Sequence, residues 1–308
     1  MPDWSEILDE INASDPERPG AIDSIRQKYL QNLANYTERN ILGFYSGWLQ
    51  KPRMRSPHFS ISDDVMPGFM TAVNKLDKSK GLDLILHTPG GKVPATEQIV
   101  FYLRKVFNNN VRAIVPQLAM SAGTMIALAC KSILMGLHSN LGPIDPQVYG
   151  GIAAHGVLEE FERIQHQFAE SPKEAQAWLP ILQRYTPTLI GLCEKAIALS
   201  ETMVKSWLTT GMFSDAMNPE EKATKVVDAL GSHAKTLNHG RHITIEQAQD
   251  LGLKIETLEE DPVLQDAVLS VHHCYVITFS ITPAVTIIEN HLGKRAIAFL
   301  NMSQNTDQ

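Results

Sequence analysis

Apolar residues recur at helical spacing at the start of the chain and change to short, strand-like runs near residue 40. Two early sets each share one helix face: Trp4, Ile7, Leu8 and Ile11, then Ile22, Ile25, Tyr29 and Leu33. Helical spacing returns after residue 151 and continues to about residue 251. The segment from residue 259 to the end also predicts helix.

Between these helical parts, short apolar runs alternate with helical segments. The strands are predicted over residues 41–49, 82–87, 111–115 and 132–135, and the helices over residues 63–76, 95–107 and 121–129. This alternation indicates parallel strands joined by crossover helices. We therefore predict an α/β fold with a helical N-terminal extension (residues 1–39), an α/β domain (40–258) and a helical C-terminal extension (259–308).

Composition narrows the classes of partner and compartment. The chain of 308 residues is 44% hydrophobic and has a net charge of −7, which argues against nucleic acid as a partner. Its three cysteines are far apart and suggest free thiols in a reducing compartment. The first residues are acidic, and the apolar run over 275–288 is too short for a membrane span. We expect a soluble, cytoplasmic protein without a metal or other cofactor.

Two glycine-bearing turns carry the candidate chemistry. HTPGG (residues 87–91) and MSAGT (120–124) each follow a predicted strand, so both lie at the edge of a parallel sheet where ligands bind. Ser121 stands where a loop enters a helix, beside unpaired backbone N–H groups. Acyl transfer needs a nucleophile, a base and N–H donors that face the developing oxyanion. Ser121 is the candidate nucleophile, Gly91 and Ala122 are candidate donors, and Gly90 allows a close backbone approach.

Two simpler interpretations of these turns stay open. Ser121 has the residue type and position of a helix N-cap. The TPGGK segment has the composition of an ordinary turn before a helix, and it lacks the Gly-Lys-Ser/Thr spacing of a phosphate-binding loop.

Four segments in order resemble one family. HTPGG, MSAGT, LGPIDPQ (141–147) and GRHITIEQAQDLGLKIE (240–256) are similar to the core of the Clp-protease and signal-peptide-peptidase superfamily of serine peptidases, and most of all to the serine dehydrogenase proteinases. The resemblance covers roughly residues 40–258. It implies a Clp-protease/crotonase-like spiral of ββα units, an oxyanion hole formed by Gly91 and Ala122, and assembly into homo-oligomers.

The general base is less evident than the nucleophile. Where Clp proteases carry the triad histidine, this chain reads GPIDPQ, with Asp145 in that position. Signal-peptide peptidases use a lysine base instead, which makes Lys173 in SPKEAQAW the candidate. A lysine base must be neutral, so its pKa has to fall from about 10.4 to roughly 7–8 through desolvation. Lys173 as an ordinary surface lysine is the alternative.

Two further residues have possible supporting roles. His87 ends the strand that leads into the oxyanion turn and is a second candidate base, although a hydrogen-bonded histidine at a strand end is the simpler interpretation. Asp145 would orient a base or only stabilise the turn after Pro143.

These observations predict a serine endopeptidase with a peptide or protein substrate, membrane-associated substrates included. The departure from the histidine triad leaves two alternatives: a catalytically inactive assembly protein, and a crotonase-like enzyme that acts on acyl thioesters. Homo-oligomers are also expected because the helical ends have apolar faces with little core of their own.

Overall fold

The computed structural model describes residues 4–13, 20–54, 56–149, 151–171, 173 and 176–300. The strands, in chain order, are β1 (Asn40–Ser46), β2 (Leu82–His87), β3 (Val111–Val115), β4 (Leu118–Ala119), β5 (Ser132–Met135), β6 (Asn140–Leu141), β7 (Gln147–Val148), β8 (Ile152–Ala153), β9 (Ile255–Thr257), β10 (Ala284–Asn290) and β11 (Arg295–Phe299).

The described α-helices vary from one turn to six. They are α1 (Trp4–Ala13), α2 (Ala21–Thr37), α3 (Met66–Val73), α4 (Val93–Val106), α5 (Ala122–Leu128), α6 (Ala154–Glu170), α7 (Leu179–Leu182), α8 (Leu189–Thr210), α9 (Pro219–Gly231), α10 (His233–Thr236), α11 (Ile245–Asp250) and α12 (Pro262–Ile281). None of these described helices is both long enough and apolar enough to cross a membrane.

Seven strands form the central sheet in the order β11-β10-β1-β2-β3-β5-β9. The five strands from β1 to β9 in this order pair in parallel, and β10 and β11 add two antiparallel pairs at one edge. The predicted strands at residues 82–87, 111–115 and 132–135 are confirmed at both ends. The sheet and its crossover helices confirm the predicted α/β fold.

The sheet separates two apolar cores because neighbouring strand residues point to opposite faces. On one face, Leu84 and Leu86 of β2 pack in the core that includes residues of α3, α4, α5 and α8. On the other face, Ile85 of β2 packs against residues of α2 and α12. Both faces of β2 are buried, as expected of a continuous apolar run in a parallel sheet.

The end of the chain differs from the predicted helical extension. Asp261 caps α12 by accepting hydrogen bonds from the N–H groups of Val263 and Leu264, and this helix ends before Pro283. The next residues, AVTIIEN, form β10, which pairs with β1 in the central sheet. The β-branched residues of this run favour a strand, and a short apolar run alone does not distinguish strand from helix. The three-part division of the chain stays a prediction.

A buried ion pair links the two ends of the chain. Arg26 of α2 donates hydrogen bonds to both carboxylate oxygens of Glu289 on β10, and its side chain is completely buried. A third bond joins Arg26 to Asp23 at 2.8 Å. The N-terminal helix α2 is therefore fixed to the same sheet edge that the last strands form.

Candidate active site

Ser121 occupies a strained turn between β4 and α5. Its φ of 51° and ψ of −117° lie outside the regions that non-glycine residues prefer, and such strain concentrates at functional sites. Ser121 stands at the N-cap position of α5, but its side chain makes no capping hydrogen bond. In the described part of the chain, the structure therefore gives no support to a capping role for this hydroxyl.

The glycine turn lies directly against this serine. A Cβ atom added to Gly90 would come within 2.7 Å of Ser121 Cβ and 3.0 Å of the Ala122 nitrogen. Thr88 joins the two turns, because its N–H donates to Leu118 O at 3.1 Å and its carbonyl accepts from Met120 N at 3.0 Å. Only glycine at position 90, where φ is +101°, permits this approach.

Two backbone N–H groups are available beside Ser121. Gly91 and Ile61 form a parallel β-bridge, and the neighbours of Gly91 make its hydrogen bonds. Ile61 N donates to Gly90 O and Lys92 N donates to Ile61 O, both at 2.8 Å. In a parallel ladder, the N–H of Gly91 itself then faces away from Ile61. In the described part of the chain, the N–H groups of Gly91 and Ala122 have no hydrogen-bond partner. Both are free to bind an oxyanion.

Asp145 and His239 form a hydrogen-bonded pair at the same cleft. The side chain of Asp145 is fully buried, and its Oδ1 lies 2.7 Å from His239 Nδ1. Gln147 Nε2 donates to the other carboxylate oxygen at 2.8 Å. This contact leaves Nε2 of His239 free to exchange a proton with another group.

The pairing of distant segments explains why His239 meets Asp145. Leu141 and Ile243 exchange two backbone hydrogen bonds of 3.0 and 2.9 Å in an antiparallel bridge. This register sets Asp145 opposite His239, since each lies four residues from the bridge. The hydroxyl of Thr124 connects the same region to the serine turn by accepting from Gly142 N at 2.8 Å.

A single cleft of about 730 Å³ is lined by both groups of residues. Its polar lining includes Ser121, Asp145, Gln147 and His239, together with both glycines of the oxyanion turn. Its apolar lining comes mainly from α5, α8 and the segment around β7: Met125, Ile144, Val148, Leu192, Ala196 and Leu199. Among the residues that the structure describes, no group of three metal-ligating side chains occurs.

The two bases proposed from the sequence lie elsewhere. Lys173 is exposed and is not part of the cleft lining, so its role stays a prediction that no described contact supports. His87 is fully buried on the sheet face that packs on α12, because it alternates with Leu86 along β2. Its ring packs against Trp48 and His272, and burial lowers the pKa of His87 to about 3. The structure therefore does not bring His87 to the cleft.

His239 is the site residue that sequence reasoning missed. It lies far from Ser121 along the chain, in a loop between two helices. The segment SHAKTLNHGRH (residues 232–242) contains three histidines within eleven residues, which is the sequence signal for a candidate base in this region. That run alone does not say which imidazole faces Asp145.

Comparisons with known proteins identify the family of the chain. A family model described as ClpP-like SDH-type serine proteinase matches residues 58–269. Two uncharacterized proteins of Methanocaldococcus jannaschii are similar over 188 residues, or 61% of this chain: one is 35% identical over 58% of its own length, and the other is 30% identical over 56% of its own length. The chain thus spans a little over half the length of these relatives. The predicted family is confirmed: this chain belongs to the ClpP-like SDH-type serine proteinases.

Proposed function

We propose that the protein is a serine endopeptidase in which Ser121 is the nucleophile, His239 the general base and Asp145 the group that orients His239. The observation that carries the proposal is the 2.7 Å hydrogen bond between His239 and Asp145 at the cleft that Ser121 lines. With Nδ1 of His239 held by the carboxylate, Nε2 is the nitrogen available to the serine hydroxyl.

The chemistry follows from these positions. Ser121 Oγ attacks the carbonyl carbon of the peptide bond while His239 Nε2 takes the hydroxyl proton. The oxyanion of the tetrahedral intermediate accepts hydrogen bonds from the N–H groups of Gly91 and Ala122. His239 then gives its proton to the departing amine, and a water molecule that His239 deprotonates releases the acyl group from Ser121.

The buried carboxylate of Asp145 has two effects in this scheme. It holds His239 in the tautomer with the proton on Nδ1, and it stabilises the positive charge that the imidazole gains as Ser121 loses its proton. A lysine base would need desolvation to become neutral at working pH. The exposure of Lys173 gives no such desolvation, which favours His239 as the base. Peptide and protein substrates and assembly into homo-oligomers are parts of the same proposal.

Hydrolysis of fluorescein-labelled casein by four proteins tests the assignment: wild type, Ser121→Ala, His239→Gln and Lys173→Ala. We expect the first two variants to lose at least about 10³-fold in kcat and the lysine variant to stay within about twofold of wild type. Wild-type activity in Ser121→Ala would exclude the serine mechanism. Loss of activity in Lys173→Ala, with His239→Gln unaffected, would restore the lysine as the base.

A further inference from the structure

A second histidine lies at the carboxylate of Asp145. His233, the first residue of α10, has its Nδ1 atom 3.5 Å from Asp145 Oδ2, whereas His239 contacts the other carboxylate oxygen, Oδ1. Among the residues that the structure describes, this buried nitrogen has no hydrogen-bond partner, although about a quarter of the His233 side chain is exposed (27%). His233 does not line the cleft. One buried carboxylate is thus positioned between two imidazoles.

The surroundings of His233 leave Asp145 as its electrostatic partner. α10 packs against α9 and α6. Titratable residues of these two helices include Lys225, Asp228, His155 and Glu159. In the described part of the chain, Asp145 is the only acidic group within 4 Å of His233, and neither Asp228 nor Glu159 forms an ion pair with it. A proton on His233 is therefore attracted mainly by the carboxylate that His239 uses.

We propose that His233 is a positioning residue whose protonation draws the Asp145 carboxylate away from His239 and thereby slows the attack by Ser121. The inference rests on the proposed function, since it concerns the same catalytic set. Neutral His233 carries no charge and leaves the carboxylate to His239. Protonated His233 donates its Nδ1–H to Oδ2 in a charge-assisted hydrogen bond.

The physical reason is repulsion between two positive imidazoles that share one negative charge. His239 must become positively charged in the transition state, and Asp145 stabilises that charge. A cationic His233 has already neutralised the carboxylate and repels the second charge. Full activity then requires both imidazoles to be neutral, so a proton on either His239 or His233 lowers the rate. The rate of attack by Ser121 therefore falls further in acid than it would if His239 alone took up a proton.

The rate at which a fluorophosphonate inactivates the protein reports the attack by Ser121, so its pH dependence can be measured without a known substrate. The second-order rate constant is measured between pH 5 and pH 8 for wild type, for His233→Gln and for His242→Gln. His242 is an exposed histidine of the same segment with no described contact to Asp145, so its substitution is the matched control. Circular dichroism at each pH restricts the comparison to folded protein.

We expect the rate constant at pH 5, relative to that at pH 8, to be at least about twofold lower in wild type and in His242→Gln than in His233→Gln. The glutamine amide keeps a neutral donor near Asp145, so its rate at pH 8 is expected within about twofold of wild type. An equal pH 5 to pH 8 ratio in wild type and in His233→Gln overturns the inference. So does a ratio in His242→Gln that matches His233→Gln and not wild type. Absence of any inactivation in wild type would instead remove the proposed function itself.

Discussion

Substitution of Gly90 by alanine tests how closely the glycine turn and the serine turn must approach. The new Cβ would meet Ser121 Cβ at 2.7 Å, Met120 O at 2.8 Å and Ala122 N at 3.0 Å. Carbon atoms in contact are normally about 3.5–4.0 Å apart, so one of the two turns must move by roughly 1 Å. The φ of +101° at position 90 adds a backbone penalty of about 1–2 kcal/mol for alanine.

The movement separates Ser121 from the donors that bind the oxyanion. Loss of a single oxyanion donor costs about 2.7–4 kcal/mol of transition-state stabilisation, or a factor of about 10²–10³ in kcat. We therefore expect Gly90→Ala to lower kcat for casein peptides by at least 10²-fold, with a much smaller change in KM. Chemical denaturation of the same variant should show a loss of about 1–3 kcal/mol in the free energy of unfolding.

Gly252→Ala is the matched control for this experiment. Gly252 also has a positive φ, +84°, but an added Cβ meets no atom within 4 Å, and the residue lies outside the cleft lining. The control therefore carries a similar backbone penalty without the steric contact, and its kcat should equal that of wild type. If Gly90→Ala keeps a kcat within about threefold of Gly252→Ala, the turn is not part of the catalytic geometry and the reasoning is refuted.

Three further changes test other parts of the molecule. Asp145→Asn should lower kcat by about 10⁴-fold, because the amide cannot stabilise a cationic His239; steady-state peptidase kinetics check this, and near-normal kcat would contradict it. Burial lowers the pKa of His87 in the folded protein to about 3, from about 6.5 in the unfolded chain. As the pH falls from about 6.5 towards 3, the unfolded state binds a proton that the folded state does not bind, so the free energy of unfolding decreases. Between pH 8 and pH 5 the decrease due to His87 is about 2 kcal/mol. Urea unfolding should therefore show a decrease that is about 2 kcal/mol larger in wild type than in His87→Phe, and an equal decrease in both proteins would reject the prediction. Glu289→Gln should destabilise the fold by about 3–5 kcal/mol in the same assay, because it removes the buried carboxylate of Arg26 and leaves only the partly exposed Asp23 as its ion-pair partner. A loss under about 1 kcal/mol would show that the buried pair is dispensable.

The parts of the fold that depend on short-range patterns could be predicted from the sequence. The run LDLILH is short, mostly apolar and bounded by turn residues, so local pattern alone indicates a buried strand. The run AVTIIEN follows a long apolar helix, and the sequence pattern predicts helix for both. Its β-branched residues favour a strand, and the pairing of β10 with β1, between residues far apart in sequence, fixes that conformation.

The candidate site also combines residues that local sequence patterns indicate with a residue that depends on long-range pairing. The positions of Gly90, Gly91 and Ser121 follow from local turns at the ends of neighbouring parallel strands, which a sequence pattern can indicate. The partner of Asp145 depends on the bridge between Leu141 and Ile243. No local pattern gives that register, so the sequence could name Asp145 as a possible orienting group without identifying His239.

The most direct test of the central claim is the mass of the tryptic peptide that carries a fluorophosphonate label. Ser121 is proposed as the nucleophile, so we predict a single adduct on the peptide containing residues 120–124. We also predict that His239→Gln slows its formation by at least about 10²-fold at pH 8. An adduct on another residue, or labelling of Ser121 at the wild-type rate in His239→Gln, would contradict the proposed catalytic set.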